Sequence, residues 1–487
     1  MAEIELIDVS LRDGNQSNWS ATGLSSAQIL QIAPVLDRVG FRALDFVSST
    51  AMGVSVRSFR EDPWHKNRAA HALMPRTPLQ LIGTGFRFIS WETQDADFMR
   101  LVYRRLVASG IARFVVLDPM LDPAAMRETA RIIREEGGSE IVGALTYTVS
   151  AVHDDACYAR LAAEMAACQD IDRLYIKDPA GLLTPDRART LIPAVSRELG
   201  GKALELHSHC TIGLAPYVYM VAAQLGVAAL HVALGPLANG SSLPSAVQVA
   251  ANLREHGYRV DINDHALQCA ADYFLRLARA EGLPVGQPQD YDAAFLRHQV
   301  AGGVMTTTRR QLEEVKLGHR FDDVMAEVDR VRAELGYPIM VTPFPQIVCT
   351  QALFNVIGQE RYEKVPDQVI RYVLGIFGRP IAPVDPDVRD RILATPRARA
   401  IMAEPPPPSL AELRRRIGPH LSDDEFLLRA TMPADQVDAM LAAAPPPARY
   451  NPDLVPLLRL VTAAAAQGGG QAVRHQTEDF TVELLPA

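Results

Sequence analysis

The chain lacks any run of about 18 to 20 apolar residues, so it offers no ordinary membrane-spanning helix and argues against direct membrane insertion. It also lacks paired cysteines. Cys157, Cys168, Cys210, Cys269 and Cys349 are odd in number and show no CxxC spacing, which argues against a disulfide framework or a zinc ribbon. There is no excess of positive charge: the formal net charge of −8 disfavours nucleic acid and anionic lipid as partners. No glycine-rich dinucleotide fingerprint follows the first strand-like segment; Arg12-Asp13-Gly14-Asn15-Gln16 stands there instead, which weighs against a nicotinamide enzyme. Lysine is scarce, limited to Lys66, Lys177, Lys202, Lys316 and Lys364, while arginine is abundant.

At 487 residues the chain exceeds one ordinary core and suggests two or three domains. With 48% hydrophobic and 22% charged residues, the composition is that of a soluble globular protein. Residues 4–9 read as a strand rather than a signal peptide, so a cytoplasmic location is expected.

Up to about residue 255, strand-like and helix-like segments alternate. Strands are expected at 4–11, 43–49, 79–85, 112–119, 141–148, 173–179, 204–210 and 229–235. Amphipathic helices are expected between them, among them 25–39, 95–109, 123–136 and 154–168, and another opening at Thr184-Pro185. This count and length suit a (β/α)8 TIM barrel; a doubly wound open sheet, the competing architecture, usually stops nearer six strands. Beyond residue 255 the pattern turns helical, with helices expected at 264–281, 321–335, 347–356 and 368–377. Proline runs at 405–408 and 445–447 flank a small helical piece, 410–441, and a glycine-rich stretch, 467–471, precedes a strand-like tail, 479–485. The expected domains are a barrel at 1–262, a helical domain at 263–404, a small helical subdomain at 409–442, and a linker and tail at 443–487.

In a barrel, residues just past each strand share one rim, where active sites lie. Asp13, Asp118, Tyr147, Lys177, His209 and Ser241 fall on that rim. His207 and His209 are two apart, so both imidazoles point to one face of a strand. Asp13, Lys177, His207 and His209 are therefore expected to converge on a divalent metal; imidazole and oxygen ligands together suit Zn, Mn, Co or Fe. A buried lysine near a cation can act as a base, form a Schiff base, or take up CO2 as a carbamate. The plainer alternative pairs Lys177 with Asp178 or Glu205. Arg12 has the fork to hold a carboxylate. His153, His231 and His298 look isolated, with core or surface roles, and Cys210 faces away from His209.

These residues resemble a known family. Leu11-Arg12-Asp13-Gly14-Asn15-Gln16-Ser17 is similar to the motif that opens the carboxyltransferase domain of pyruvate carboxylase, the oxaloacetate decarboxylase alpha subunit and the transcarboxylase 5S subunit. Ile176-Lys177-Asp178-Pro179-Ala180-Gly181-Leu182-Leu183-Thr184-Pro185 and His207-Ser208-His209 resemble its lysine and histidine motifs. Glu61-Asp62-Pro63-Trp64, His298-Gln299 through Gly302-Gly303, Val341 through Val348, and Gly358-Gln359-Glu360-Arg361-Tyr362 extend the likeness to about residue 445. The resemblance implies a metal held by Asp13, His207, His209 and a carbamate on Lys177, with Arg12 and Gln16 facing the substrate. It places Ser241 at a threonine that shuttles a proton between biotin and a substrate enol. It also implies a homodimer.

The departures concern the substrate side. Ile82 stands where the family has an arginine for the pyruvate carboxylate, Ile89 where it has a tyrosine near biotin, and Thr307 where an asparagine is usual; Arg87 lies close by as a substitute cation. Ile82 cannot pair with a carboxylate, which argues against pyruvate. No lysine follows a methionine, so the usual biotin carrier motif is lacking, and separate biotin carrier and biotin carboxylase chains are expected. The expected function is a metal-dependent carboxyltransferase or decarboxylase subunit moving CO2 between carboxybiotin and a small carbonyl or acyl substrate through an enolate. The alternative is a biotin-independent lyase or aldolase-type enzyme acting next to a carbonyl.

Overall fold

The short apolar segments form parallel strands, β1 (Glu5–Asp8), β2 (Ala43–Ser48), β3 (Leu79–Thr84), β4 (Ile111–Leu117), β5 (Glu140–Thr146), β6 (Arg173–Asp178), β7 (Ala203–Ser208) and β8 (Ala229–Val232). Each pairs with the next, and β1 closes on β8 from Glu5 opposite Ala229 to Asp8 opposite Val232. Closure distinguishes the barrel from an open sheet. This computed structural model describes residues 2–90, 92–293, 295–299, 309, 312–314, 316–341, 343–447, 449–466, 473–476 and 481–484. Thr307, the Gly302-Gly303 pair, the 467–471 stretch and part of the expected tail strand lie outside them.

Side-chain caps fix where the helices begin. Asp95 accepts from Phe98 N at 2.7 Å, Asp154 from Cys157 N at 2.8 Å, and Thr184 from Arg187 N at 3.2 Å with Pro185 first in its helix. The first strand ends earlier than the expected residue 11. Ser10 Oγ donates to Asp8 Oδ1 at 2.6 Å and accepts from Leu234 N at 2.7 Å, turning the chain out of the sheet. Ser10–Gly14 then forms a wide helical turn, followed by the helix Asn15–Trp19. Asp13 thus rides on a turn at the barrel mouth rather than at a strand end.

The barrel interior is layered. At the floor, alternating charges close a loop: Arg42 meets Glu5 (3.2 Å) and Glu140 (2.5 Å), Arg113 meets Glu140 (2.6 Å) and Glu205, and Arg173 meets Glu205 (2.6 Å) and Glu5 (2.6 Å). Each carboxylate here has two cationic partners, which offsets its desolvation cost. Apolar layers lie nearer the mouth, including Val115, Leu117, Val142, Ala144 and Tyr175, with half-buried Ile82 packed against them.

The helix Asp264–Glu281 shares the barrel's apolar cluster through Ala266, Leu267, Phe274 and Leu277. A separate cluster built on Val324, Val328, Val331, Phe344, Val348 and Tyr372 forms the core of the following helical region. Arg332 clamps that region to the barrel rim, donating to Val149 O (2.9 Å) and Thr148 Oγ1 (2.8 Å). The expected piece 410–441 consists of the helices Leu410–Ile417, Asp423–Thr431 and Ala434–Leu441. It packs on the barrel: Arg105 Nε donates to Asp424 Oδ1 (2.8 Å), and Phe98 meets Phe426 at 6.2 Å between rings. No helix among the described residues is long and apolar enough to cross a membrane.

Candidate metal centre

Three segments distant in sequence meet at the mouth. The Asp13 carboxylate lies 3.7 Å from Lys177 Nζ, 3.3 Å from His207 Nε2 and 3.6 Å from His209 Nε2. Lys177 Nζ is 3.2 Å from His207 Nε2, and the two Nε2 atoms are 3.1 Å apart. All four side chains are buried. Among the described residues, Asp13, His207 and His209 are the one group of His, Cys, Asp and Glu side chains spaced to hold a metal ion.

The strand pleat explains the selection. Lys177 and His207 are register partners on β6 and β7 and point inward. Asp178, one residue on, points the other way; its oxygens accept from Leu182 N and Leu183 N (2.8 Å each) and from Ser208 Oγ (2.7 Å). Glu205 is engaged with Arg113, Arg173 and His231. Neither carboxylate pairs with Lys177, so the plainer alternative does not hold. The loop after β6 runs so close to β7 that a Cβ on Gly181, whose φ is +67°, would meet His209 O at 2.5 Å. Glycine there lets the lysine and histidine motifs pack together.

Arg12 holds Asp13 in place: Nη1 is 3.0 Å from Asp13 Oδ2, while Nε donates to Asp45 Oδ2 at 2.7 Å. Ser17 Oγ adds a 2.9 Å bond to Asp13 Oδ1. His209 Nδ1 donates to Ser241 O at 2.6 Å, which leaves its Nε2 lone pair aimed at the cluster.

Burial opposes the Asp13 charge, but the Arg12 guanidinium beside it holds its pKa well below the usual carboxylate range. Burial, then the Lys177 amine, pushes His207 well below the usual imidazole value, so the ring is neutral at pH 7. Burial brings the Lys177 amine down to about 8 against the pull of Asp13. An ionised carboxylate, the neutral His207 ring, the His209 ring with its Nε2 turned to the cluster and an amine poised to lose its proton form a donor set that suits a divalent cation. Thr146, the register partner of Lys177 on β5, is fully buried, and its Oγ1 has no hydrogen-bond partner among the described residues. A hydroxyl left unsatisfied there fits an oxygen-bearing adduct on Lys177.

The other expected rim residues are arranged differently. Ser241 Oγ is exposed and donates to Ser17 O at 2.8 Å, outside the cluster; its backbone carbonyl is what touches His209. Gln16 is exposed at the mouth. Asp118 accepts from Met120 N (3.2 Å) and Asp122 N (2.9 Å); burial raises its pKa to about 6, with Arg87 nearby. Arg87 is buried, lies 5.3 Å from the Phe377 ring centroid, and keeps an Nε without a partner among the described residues. Tyr147 packs on Tyr158 at 5.8 Å. Ile89 sits against Gly53, where an added Cβ would meet its Cγ2 at 3.1 Å. Burial pushes the Cys210 thiol up to about 12, and it plays no part in the cluster.

His231 corrects the sequence reading. It is not isolated: its Nδ1 lies 3.1 Å from His207 Nδ1 and its Nε2 lies 3.1 Å from Glu205 Oε2. A histidine in a strand without a neighbouring motif gives no signal of this; only the β7–β8 pairing does. His153, by contrast, is a rim histidine bonded to Ser150 Oγ at 2.7 Å.

Residues 295–446 match a family model described as a conserved carboxylase domain. The chain is 33% identical over 393 residues to one of the pyruvate carboxylase subunits of Methanocaldococcus jannaschii, covering 80% of this chain and 68% of that one. It is 29% identical over 449 residues to the 2-oxoglutarate carboxylase large subunit of Hydrogenobacter thermophilus, covering 90% and 68%. The carboxyl transferase domain of Rhizobium etli pyruvate carboxylase superposes with a TM-score of 0.81 at 22% identity, over 99% of this chain and 84% of that one, a likeness of fold.

Proposed function

Because the chain belongs to the carboxyltransferase family that includes the Methanocaldococcus jannaschii pyruvate carboxylase subunit, we propose that it transfers a carboxyl group between biotin on a separate carrier and a small carbonyl or acyl compound. The observation that carries this reading is the meeting of Asp13, Lys177, His207 and His209 at the barrel mouth. These four are assigned as the ligands of a divalent metal, Zn, Mn or Co, with Lys177 carrying a carbamate. When bound, the cation polarises the substrate carbonyl and favours the enolate.

The chain's own residues do the rest. Arg12 and Ser17 hold Asp13, and the Ser241 carbonyl holds His209, so the ligands are fixed before substrate arrives. Carboxybiotin's N–C bond breaks to release CO2, the biotin so freed takes a proton from the carbon beside the substrate carbonyl, and the resulting enolate carbon forms its new bond to that CO2. Ser241 offers its rim hydroxyl for the proton's passage to or from biotin, and Gln16 faces the entering substrate. The apolar layer around Tyr175, Val115 and Leu117 keeps water from the enolate.

Ile82 marks the substrate as different from pyruvate. It packs against the apolar cluster of Val115, Leu117, Val142, Ala144 and Tyr175 and offers no partner to a carboxylate. Arg87, buried with an Nε that lacks a partner among the described residues, is the candidate to replace that cation. The relative named 2-oxoglutarate carboxylase supports a 2-oxo acid other than pyruvate as the class to try. Separate biotin carrier and biotin carboxylase chains, a homodimer and a cytoplasmic location belong to this reading; the separate chains are supported by the relatives' being named as subunits. The assignment of the chemistry to residues 1–262 belongs to it too.

The test is carboxyl exchange. The purified protein, loaded with Zn, Mn or Co, is mixed with a carboxylated biotin carrier and a panel of 2-oxo acids and acyl thioesters. Substrate-dependent loss of carboxyl from the carrier is expected with one of them. No exchange with any member while metal is bound stoichiometrically overturns the proposal, and substrate cleavage without the carrier establishes the lyase alternative.

A further inference from the structure

The side chains behind His207 form a chain of contacts that runs down to the charged floor of the barrel. Glu205 meets Arg113 and Arg173, so it stands as a carboxylate, able only to accept. Its Oε2 lies 3.1 Å from His231 Nε2, which must therefore carry a hydrogen. A neutral imidazole protonated at Nε2 has a lone pair at Nδ1. That lone pair faces His207 Nδ1 at 3.1 Å, so His207 donates there and carries no hydrogen at Nε2. His207 Nε2 then points a lone pair into the Asp13 cluster, 3.1 Å from the lone pair that His209 presents. Two acceptors this close repel unless a cation lies between them.

The arrangement is held rigidly. The His231 ring stacks on Tyr175 with centroids 5.2 Å apart and planes 2° apart, and stands at 75° to His207. All of these side chains are buried away from bulk solvent.

We infer that Glu205 and His231 are positioning residues that fix the tautomer of His207, through two successive hydrogen bonds, and so set how tightly the metal is held. The orientation resembles a carboxylate–histidine–metal arrangement lengthened by one imidazole, with the acidic end anchored in the ion ring of the barrel floor. The effect reaches the metal through His207; neither Glu205 nor His231 touches it. This inference rests on the metal-binding reading above, and the experiment separates the two.

The probe is Co2+ added to the full-length protein stripped of metal, followed by calorimetry and by the visible absorption of bound Co2+. His231→Phe, which keeps a flat ring on Tyr175 but removes both nitrogens, is expected to weaken binding by about 10- to 100-fold and to shift the absorption. His231→Gln, whose amide restores an acceptor for His207, is expected to recover part of the loss. If wild type binds Co2+ and His231→Phe binds it equally tightly, the inference falls while the metal reading stands. If wild type binds none, the metal reading falls first. Because either variant can fail to fold, the wild-type tautomer is read directly by nitrogen-15 spectra of labelled histidine, with the His207 signal identified by its loss in His207→Ala. Hydrogen at Nδ1 is expected; hydrogen at Nε2 overturns the inference.

Discussion

Lys177 Nζ stands 3.2 Å from His207 Nε2, across adjacent strands at matching register. A buried amine and a neutral imidazole held together, with Asp13 alongside, form a site whose charge balance changes when a metal enters. Lys177 brings positive charge to Asp13; a divalent cation held there, as proposed, would take over that role and leave the amine available for other chemistry.

Removing a ligand is therefore expected to abolish metal retention without unfolding the barrel. Wild type is expected to purify with roughly stoichiometric metal, and His209→Ala and Asp13→Asn with far less, as read by elemental analysis. Their far-ultraviolet circular dichroism is expected to match wild type, since the apolar clusters are untouched.

Carbamate formation at Lys177 releases a proton and needs the uncharged amine, which burial brings within reach by lowering its pKa to about 8. Protein equilibrated with carbon-13-labelled bicarbonate and metal is expected to show a carbamate resonance. Lys177→Arg is expected to lose the resonance and the metal together. Metal retained in full by Lys177→Arg would remove Lys177 from the ligand set.

Ile82→Arg places a guanidinium on the inner wall where a substrate carboxylate can reach it. Activity with pyruvate is expected to rise at least about tenfold relative to the native substrate, or about 1.4 kcal/mol. Because Ile82 packs against an apolar cluster, a lower melting temperature is expected as well, which a thermal scan reads.

Lys66 gives a pH-dependent stability away from the site. Its buried amine donates to Ser55 Oγ at 2.6 Å, and burial lowers its pKa from 10.5 to about 8 against the pull of Glu61. Between pH 8 and 10.5 the unfolded chain keeps this proton while the folded one releases it, so this group's contribution makes stability rise with pH there. Below pH 8 the full cost, about 3 kcal/mol, is present. Lys66→Met is expected to be more stable at neutral pH and to flatten the alkaline slope, measured by denaturant unfolding from about pH 7 to 10.5.

The sequence by itself determined the strand count, the helix starts and the inward pair His207 and His209, because these depend on local periodicity and capping. Caps such as Thr184-Pro185 act over three or four residues, and a strand's two faces alternate whatever lies beside it. Motif resemblance added the family, the expected carbamate on Lys177 and the expected roles of Arg12, Gln16 and Ser241. Tertiary structure alone decided what stands behind the ligands. Glu205 is as plausible a partner for Lys177 as any nearby carboxylate until the barrel closes, when Arg173 from the adjacent β6 and Arg113 from β4, across the barrel floor, claim it. His231 had no motif around it, and its bond to His207 exists only because β8 lies beside β7. Those partnerships depend on which strands become neighbours, and strand order follows from closing the whole sheet rather than from any one segment's residues.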